Sequence, residues 1–321
     1  MDFVRDINHD EMRSGFLVKS DRKKLWNVEL EIYNEFRRIC EKHNLRFFAD
    51  HGTLLGAVRH GGFIPWDDDM DFVLFRPDYE KFKEVARKEI QYPYFLSIWY
   101  ETEGIEECAA GTTMGAFMRI HDERTTAYYS DMIAPTHQGI CIDIFPLDSC
   151  PNLREYSEQK IDEDPKMRHW QMLVEMSRAA LERDEVLKML CNGDFKTVIP
   201  KDQLERFALF PLKYKGEALD KYCLKHFHES EYVSFYLTSV FLSSKHFRDV
   251  VDLPFENITL PCPIGYEELL TEEYGDWHKF FVTPGHIDAY STDIPYKEFF
   301  KMRDELRKNM VNAKPKMSRL E

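Results

Sequence analysis

The sequence predicts an α+β protein, and three stretches predict it. Residues 20–43 place Leu25, Val28, Ile32, Phe36 and Ile39 three and four positions apart, the spacing of one buried helical face. Residues 72–75 (FVLF) and 139–147 (GICIDIFPL) are short apolar runs of strand length. Acids crowd the start of the first run, and one acid, Asp143, sits inside the second.

The remaining elements follow in order. Ser20 is placed to cap the helix over 20–43, and Asn44 suits its C-terminal end. Residues 46–49 read as a short strand leading into a glycine turn, DHGTLLG over 50–56, and His60-Gly61-Gly62 forms a second turn. Pro77 opens a helix over 77–90 with Tyr79, Phe82, Val85 and Ala86 inward. Strands are expected over 94–100 and 114–120, separated by an acidic loop over 102–113. Asp148, after Pro146, is expected to cap the next element. Residues 152–192 and 200–229 are charged and helical in period, and 231–242 is aromatic and extended. A short strand near 253–262 then feeds a helix that stops near Gly275, and 295–310 reads as an amphipathic helix before a frayed end. The division expected is a core over 1–150, a mostly helical region over 151–230, and a part over 231–321 that completes the core and the site's rim.

Composition bounds the function. The chain has 321 residues, 43% of them hydrophobic, enough for a sizeable core. A net charge of -14 repels phosphate backbones, so nucleic acid is not an expected partner. The seven cysteines are scattered and form no CxxC pair, which points to buried thiols in a reducing compartment rather than to disulfides or zinc. No HxxxH or HExxH pattern suggests a zinc hydrolase, and His169, His226 and His228 read as surface or packing residues. The acidic N-terminus lacks a signal-peptide core, and no apolar run approaches the roughly 20 residues of a membrane span. The expected location is cytoplasmic.

The chemistry gathers around residues 50–75. On a strand, Asp69 and Asp71 would share a face, and paired carboxylates repel unless a cation stands between them. Hard oxygen ligands at this spacing suit Mg²⁺ or Mn²⁺. Gly52 and Gly56 let the backbone approach a ligand, and Thr53 offers a hydroxyl to a phosphate oxygen. Asp143, buried in an apolar run, requires a partner: an arginine such as Arg119, or the same cation from a neighbouring strand.

Four stretches carry a family resemblance: HGTLLGAVRHGGFIPWDDDMDF (51–72), MRIHDERTT (118–126), IDIFPLD (142–148) and the region from LPFE to YGDW (253–277). Together they resemble the LicD family, the phosphocholine-transferase relatives that include the fukutin-related proteins. The resemblance implies a nucleotidyltransferase-like mixed β-sheet flanked by helices, with a helical insertion. It implies transfer of a phospho-alcohol, typically phosphocholine from CDP-choline, to a sugar hydroxyl of a glycan or glycolipid precursor, with release of CMP. A lipid-linked acceptor would add a peripheral membrane contact. Asp69 and Asp71 match the paired metal acids, Asp67 an outer acid, and Asp143 the later-strand acid, as ligand or general base. Gly52 and Thr53 match the phosphate turn. Arg59 and Arg119 are candidates for the diphosphate, or else for ion pairs with the acids. His51 would donate to a phosphate or close the turn, while Asp122, Thr125 and Thr126 are candidate lining residues. Trp66, Trp99, Tyr128, Tyr129 and Trp277 are the aromatics available to a choline headgroup. The cysteine zinc module of the fukutin-related branch has no counterpart here, and CDP-ribitol or CDP-glycerol would serve the same metal site. Three other readings stand beside this one. They are an ordinary nucleotidyltransferase leaving NMP on its acceptor, an inactive scaffold, and a DxD glycosyltransferase that would leave the glycine turn unexplained.

Overall fold

The structure, a computed structural model, describes residues 3–98, 117–129, 137–150, 232–235, 241–283, 285–299, 301, 302 and 305. The helices expected over 152–192 and 200–229, the loop over 102–113, the chain end after 305, and Trp99, Cys108, Cys191, Cys223, His169, His226 and His228 lie outside them.

The chain opens with a hairpin, β1 (Glu11–Arg13) and β2 (Phe16–Val18). Helix α1 (Ser20–Lys42) follows and buries Leu25, Val28, Ile32, Phe36 and Ile39, the face expected from periodicity. Its start is held by Asp10, whose Oδ1 accepts the Ser20 N–H at 2.9 Å; Ser20 is not the cap. Asn44 takes a left-handed φ of 53° just beyond its end. Strand β3 (Phe47–Ala49) leads directly into a helix, α2 (His51–His60), where a glycine turn was expected. Its two glycines lower helix propensity but answer to packing. A Cβ on Gly52 would lie 2.6 Å from Asp67 Oδ2, and one on Gly56 would lie 2.6 Å from the Gly62 carbonyl. Gly61, at φ 59°, ends the helix.

Strand β4 (Asp71–Phe75), helix α3 (Arg76–Glu89), and strands β5 (Tyr94–Ile98), β6 (Met118–Asp122), β7 (Thr126–Tyr128) and β8 (Cys141–Cys150) complete the first half. Helix α3 buries Tyr79, Phe82, Val85 and Ala86, as its pattern required. Asp148 lies inside β8, opposite Ser234, rather than capping a following element. After it come β9 (Tyr232–Phe235), β10 (Phe241–Ser243), a 3-10 turn at Ser244–Phe247, the hairpin β11 (Val250–Phe255) and β12 (Ile258–Pro263), helix α4 (Tyr266–Tyr274), and β13 (Ala289–Ser291).

Seven strands form one mixed sheet. β8 is its axis, parallel to β4 on one edge and antiparallel to β6 and then β9 on the other. β3 and β10 extend the sheet beyond β4 and β9, and β5 extends it beyond β6. Helix α1 packs through Tyr33 and Phe36 on Phe47, Phe72 and Phe82, an aromatic cluster with ring centroids 4.7 to 6.2 Å apart. The fold is therefore α+β, a mixed sheet flanked by helices. Cys40, Cys141 and Cys262 are free and buried. No described helix is long and apolar enough to cross a membrane.

Candidate active site

The sheet register builds the site. On parallel neighbours, Asp71 opens β4 directly across from Asp143 of β8, and on the other side Asp143 faces Arg119 of β6. The Asp143 N–H donates to the Met70 carbonyl at 2.9 Å, and the Asp71 N–H donates to Thr53 Oγ1 at 2.8 Å. Thr53 thus ties the first turn of α2 to the start of β4, and its oxygen meets the acidic loop before any phosphate. Asp69 precedes the strand rather than sharing its face with Asp71, yet both carboxylates reach the same cleft.

That cleft, of about 370 Å³, is walled by His51, Gly52 and Arg59 of α2, by Trp66, Asp67, Asp69 and Asp71, and by the chain after α4. The end of α4 contributes Tyr274, and the segment after it Trp277, Lys279, Phe281 and His286. Two interactions hold it there. Arg59 Nη1 donates to the Trp277 and Lys279 carbonyls at 2.8 and 3.0 Å. Asp68, fully buried, accepts the His286 N–H at 2.7 Å and the Ile287 N–H at 3.2 Å, while Arg22 pairs with the same carboxylate at 3.0 Å.

The acids are electrostatically strained. Burial pushes the Asp67 carboxyl up to about 6. Burial and the charge of Asp67 hold Asp69 well above the usual range, and burial with the charge of Asp69 does the same to Asp71. Asp67, Asp69 and His286 each bring one ligand atom to within 4.8 Å of the others. Crowded carboxylates kept in their protonated range are the condition that a hard cation relieves. The donor set fits Mg²⁺ or Mn²⁺.

Several sequence expectations are corrected. Arg119 does not stand open to a diphosphate: its Nε and Nη2 grip the two carboxylate oxygens of Asp143 at 2.6 and 2.9 Å. This answers which partner the buried Asp143 has. Arg59 lines the cleft, but its guanidinium supports the rim. Asp122 and Thr125 do not line the cleft. Asp122 is buried and bonded by Arg124, and Thr125 Oγ1 donates to the Asp122 carbonyl at 2.8 Å while accepting the Ile140 N–H at 2.9 Å. Thr126 donates to the Ile294 carbonyl at 2.6 Å. Of the aromatic candidates, Trp66 and Trp277 reach the cleft, and Tyr128 and Tyr129 do not line it. His286, Lys279 and Asp68 escaped the sequence reading, since each acts through a contact more than 200 positions distant or lies on an unpatterned loop.

Residues 44–151 match the family described as LicD/FKTN/FKRP, nucleotidyltransferase domain. The chain carries a LicD-family domain. It is similar to the lipopolysaccharide cholinephosphotransferase LicD of Haemophilus influenzae, 29% identical over 257 residues that cover 78% of this chain and 89% of that protein. An uncharacterised protein of Rickettsia prowazekii is 26% identical over 121 residues, covering 36% of this chain and 44% of that one. The human ribitol 5-phosphate transferase FKRP is 42% identical over 40 residues, which are 12% of this chain and 8% of FKRP. The LicD-family domain and the similarity to the cholinephosphotransferase make the chain an enzyme of the phosphotransferase class.

Proposed function

We infer that this LicD-type enzyme transfers phosphocholine from CDP-choline to a sugar hydroxyl of a cell-surface glycan or glycolipid precursor, releasing CMP. The observation that carries the reading is the convergence of Asp67, Asp69 and Asp71 with aromatic rings in one cleft. The similarity to a cholinephosphotransferase over most of its length supports it. The reaction is a displacement at the distal phosphorus. The acceptor oxygen forms a new P–O bond, the anhydride P–O bond breaks, CMP departs with the electron pair, and the hydroxyl proton is released. Phosphoryl transfer asks mainly for positioning and for neutralisation of spreading charge.

Asp67, Asp69 and Asp71 would hold Mg²⁺ or Mn²⁺, which when bound would neutralise the donor's phosphate oxygens and the departing CMP. His51, Lys279 and His286 add positive or donor groups around that position. Gly52 lets the first turn of α2 close on Asp67, so that the amide-rich helix start faces the acidic loop. Asp143, gripped by Arg119, fixes the strand beneath Asp71 rather than acting as general base. The faces of Trp66 and Trp277 suit a quaternary ammonium group.

A second donor, CDP-ribitol, is favoured by the short stretch shared with FKRP. Purified chain incubated with Mg²⁺ and each of CDP-choline, CDP-ribitol and CDP-glycerol, with nucleotide products separated, tests the choice. CMP from CDP-choline alone is expected. CMP from CDP-ribitol alone would replace choline with the polyol. Pyrophosphate from an NTP with no CMP from any CDP-alcohol would make the chain a nucleotidyltransferase.

A further inference from the structure

A separate cluster of metal-ligating side chains stands in the wall of the cleft. Asp50 precedes α2, His51 begins it, and Glu273 lies near the end of α4. One ligand atom from each lies within 4.8 Å of the other two. His51 Nδ1 is 3.2 Å from Asp50 Oδ2. The Asp50 side chain is 0% exposed; its Oδ2 faces His51, and its Oδ1 has no hydrogen-bond donor among the described residues. Glu273 Oε2 is likewise buried without a hydrogen-bond donor. Buried carboxylate oxygens ordinarily have donors, because desolvation without them is costly.

The backbone fixes this arrangement. The Asp50 N–H donates to the Asp71 carbonyl at 3.1 Å, and the Asp50 carbonyl accepts the Leu54 N–H at 3.0 Å. These bonds fix the Asp50 backbone at the junction between α2 and β4. Burial and the charge of Asp50 push the Glu273 carboxyl up to about 8. Burial would lower the His51 imidazole, but the Asp50 carboxylate outweighs it and raises the ring to about 10. A divalent ion bound here would displace the protons of Glu273 and His51 and take both carboxylates and the imidazole as ligands.

We propose that Asp50, His51 and Glu273 form a second divalent-cation site, distinct from Asp67, Asp69 and Asp71. One imidazole with two carboxylates suits Mn²⁺ or Zn²⁺ better than Mg²⁺. His51 and Tyr274 line the cleft, so a bound ion would add positive charge to the wall facing an anionic substrate. The site stands independently of the donor's identity.

The test is a Mn²⁺ titration of the full chain, with free ion followed by electron paramagnetic resonance. Wild type is expected to bind two ions per chain. Asp69→Asn/Asp71→Asn should keep one, and Asp50→Asn/Glu273→Gln should keep the other. Glu273→Gln alone, at a partly exposed residue, should weaken one of the two affinities at least tenfold and covers the case in which the double variant does not fold. The proposal is overturned if Asp69→Asn/Asp71→Asn binds no Mn²⁺, or if Glu273→Gln binds as wild type does. A failure of CMP release from every donor would leave these stoichiometries untouched, so the two readings fail separately.

Discussion

Arg119 holds both carboxylate oxygens of Asp143 from the adjacent strand, one residue pair across the sheet from Asp71. The pair is nearly enclosed, with 14% and 13% of the two side chains exposed. Removing one member of a buried pair leaves an uncompensated charge, which costs about 3–5 kcal/mol. Arg119→Ala should therefore lower the free energy of unfolding by that amount, read as a lower urea midpoint at unchanged m-value. A loss under about 1 kcal/mol would mean that water already screens the pair.

The acidic loop should behave in the opposite sense. Asp71 titrates well above the usual range through burial and the charge of Asp69, so its ionised form destabilises the fold at neutral pH. In chelator, Asp71→Asn is expected to melt at the same temperature as wild type or higher. Added Mg²⁺ should then stabilise wild type by mass action and stabilise the variant less. Thermal melts with and without 5 mM Mg²⁺, an arbitrary excess, read both effects.

Asp68 ties the cleft's far wall to its floor. Its carboxylate accepts two backbone amides from the 285–287 segment and pairs with Arg22. Asp68→Ala should free this segment, raising its amide exchange and carrying His286 away from Asp69, with a stability cost of about 3 kcal/mol. Unchanged exchange across 278–287 would show that Arg59 alone holds the rim.

Acid sensitivity should come from two buried histidines. The His121 and His137 rings meet at a tilt of 44° with centroids 4.4 Å apart, and Phe95 stacks on His137. His121 Nδ1 donates to the Gly139 carbonyl, and His137 Nδ1 accepts the Gly139 N–H, which holds the His137 ring neutral. Burial holds His121 well below its ordinary value and lowers His137 to about 3. The unfolded chain takes up these protons below about pH 6.5 while the folded chain does not, so stability is full above that pH and falls as pH drops. Each neutral ring contributes a loss of about 1.4 kcal/mol per pH unit below 6.5. Denaturant midpoints measured from pH 7 to 5 should decline, and less steeply in His137→Phe.

Much of this was legible in the sequence because its signals were local. The helical face of α1 and the apolar run of β4 repeat within single elements, and Asp67, Asp69 and Asp71 share one short loop and strand start. The buried acid in β8 announced that it needed a partner, and the register supplied Arg119. Helix α2 was read as a turn because Gly52 and Gly56 mimic one. Only the tertiary contacts with Asp67 and Gly62 reveal that a side chain would not fit there. Glu273 and His286 carry no pattern of their own. They reach the site through the path of the chain after α4, which no local spacing encodes.

The central claim is that the acidic loop drives transfer of a phospho-alcohol. Its most direct test is CMP release from CDP-choline with Mg²⁺, comparing wild type with Asp71→Asn after both are shown to be folded. Metal-dependent CMP release in wild type, reduced at least 100-fold in the variant, is the predicted result. Equal release from the two proteins, or release that persists in chelator, would contradict it.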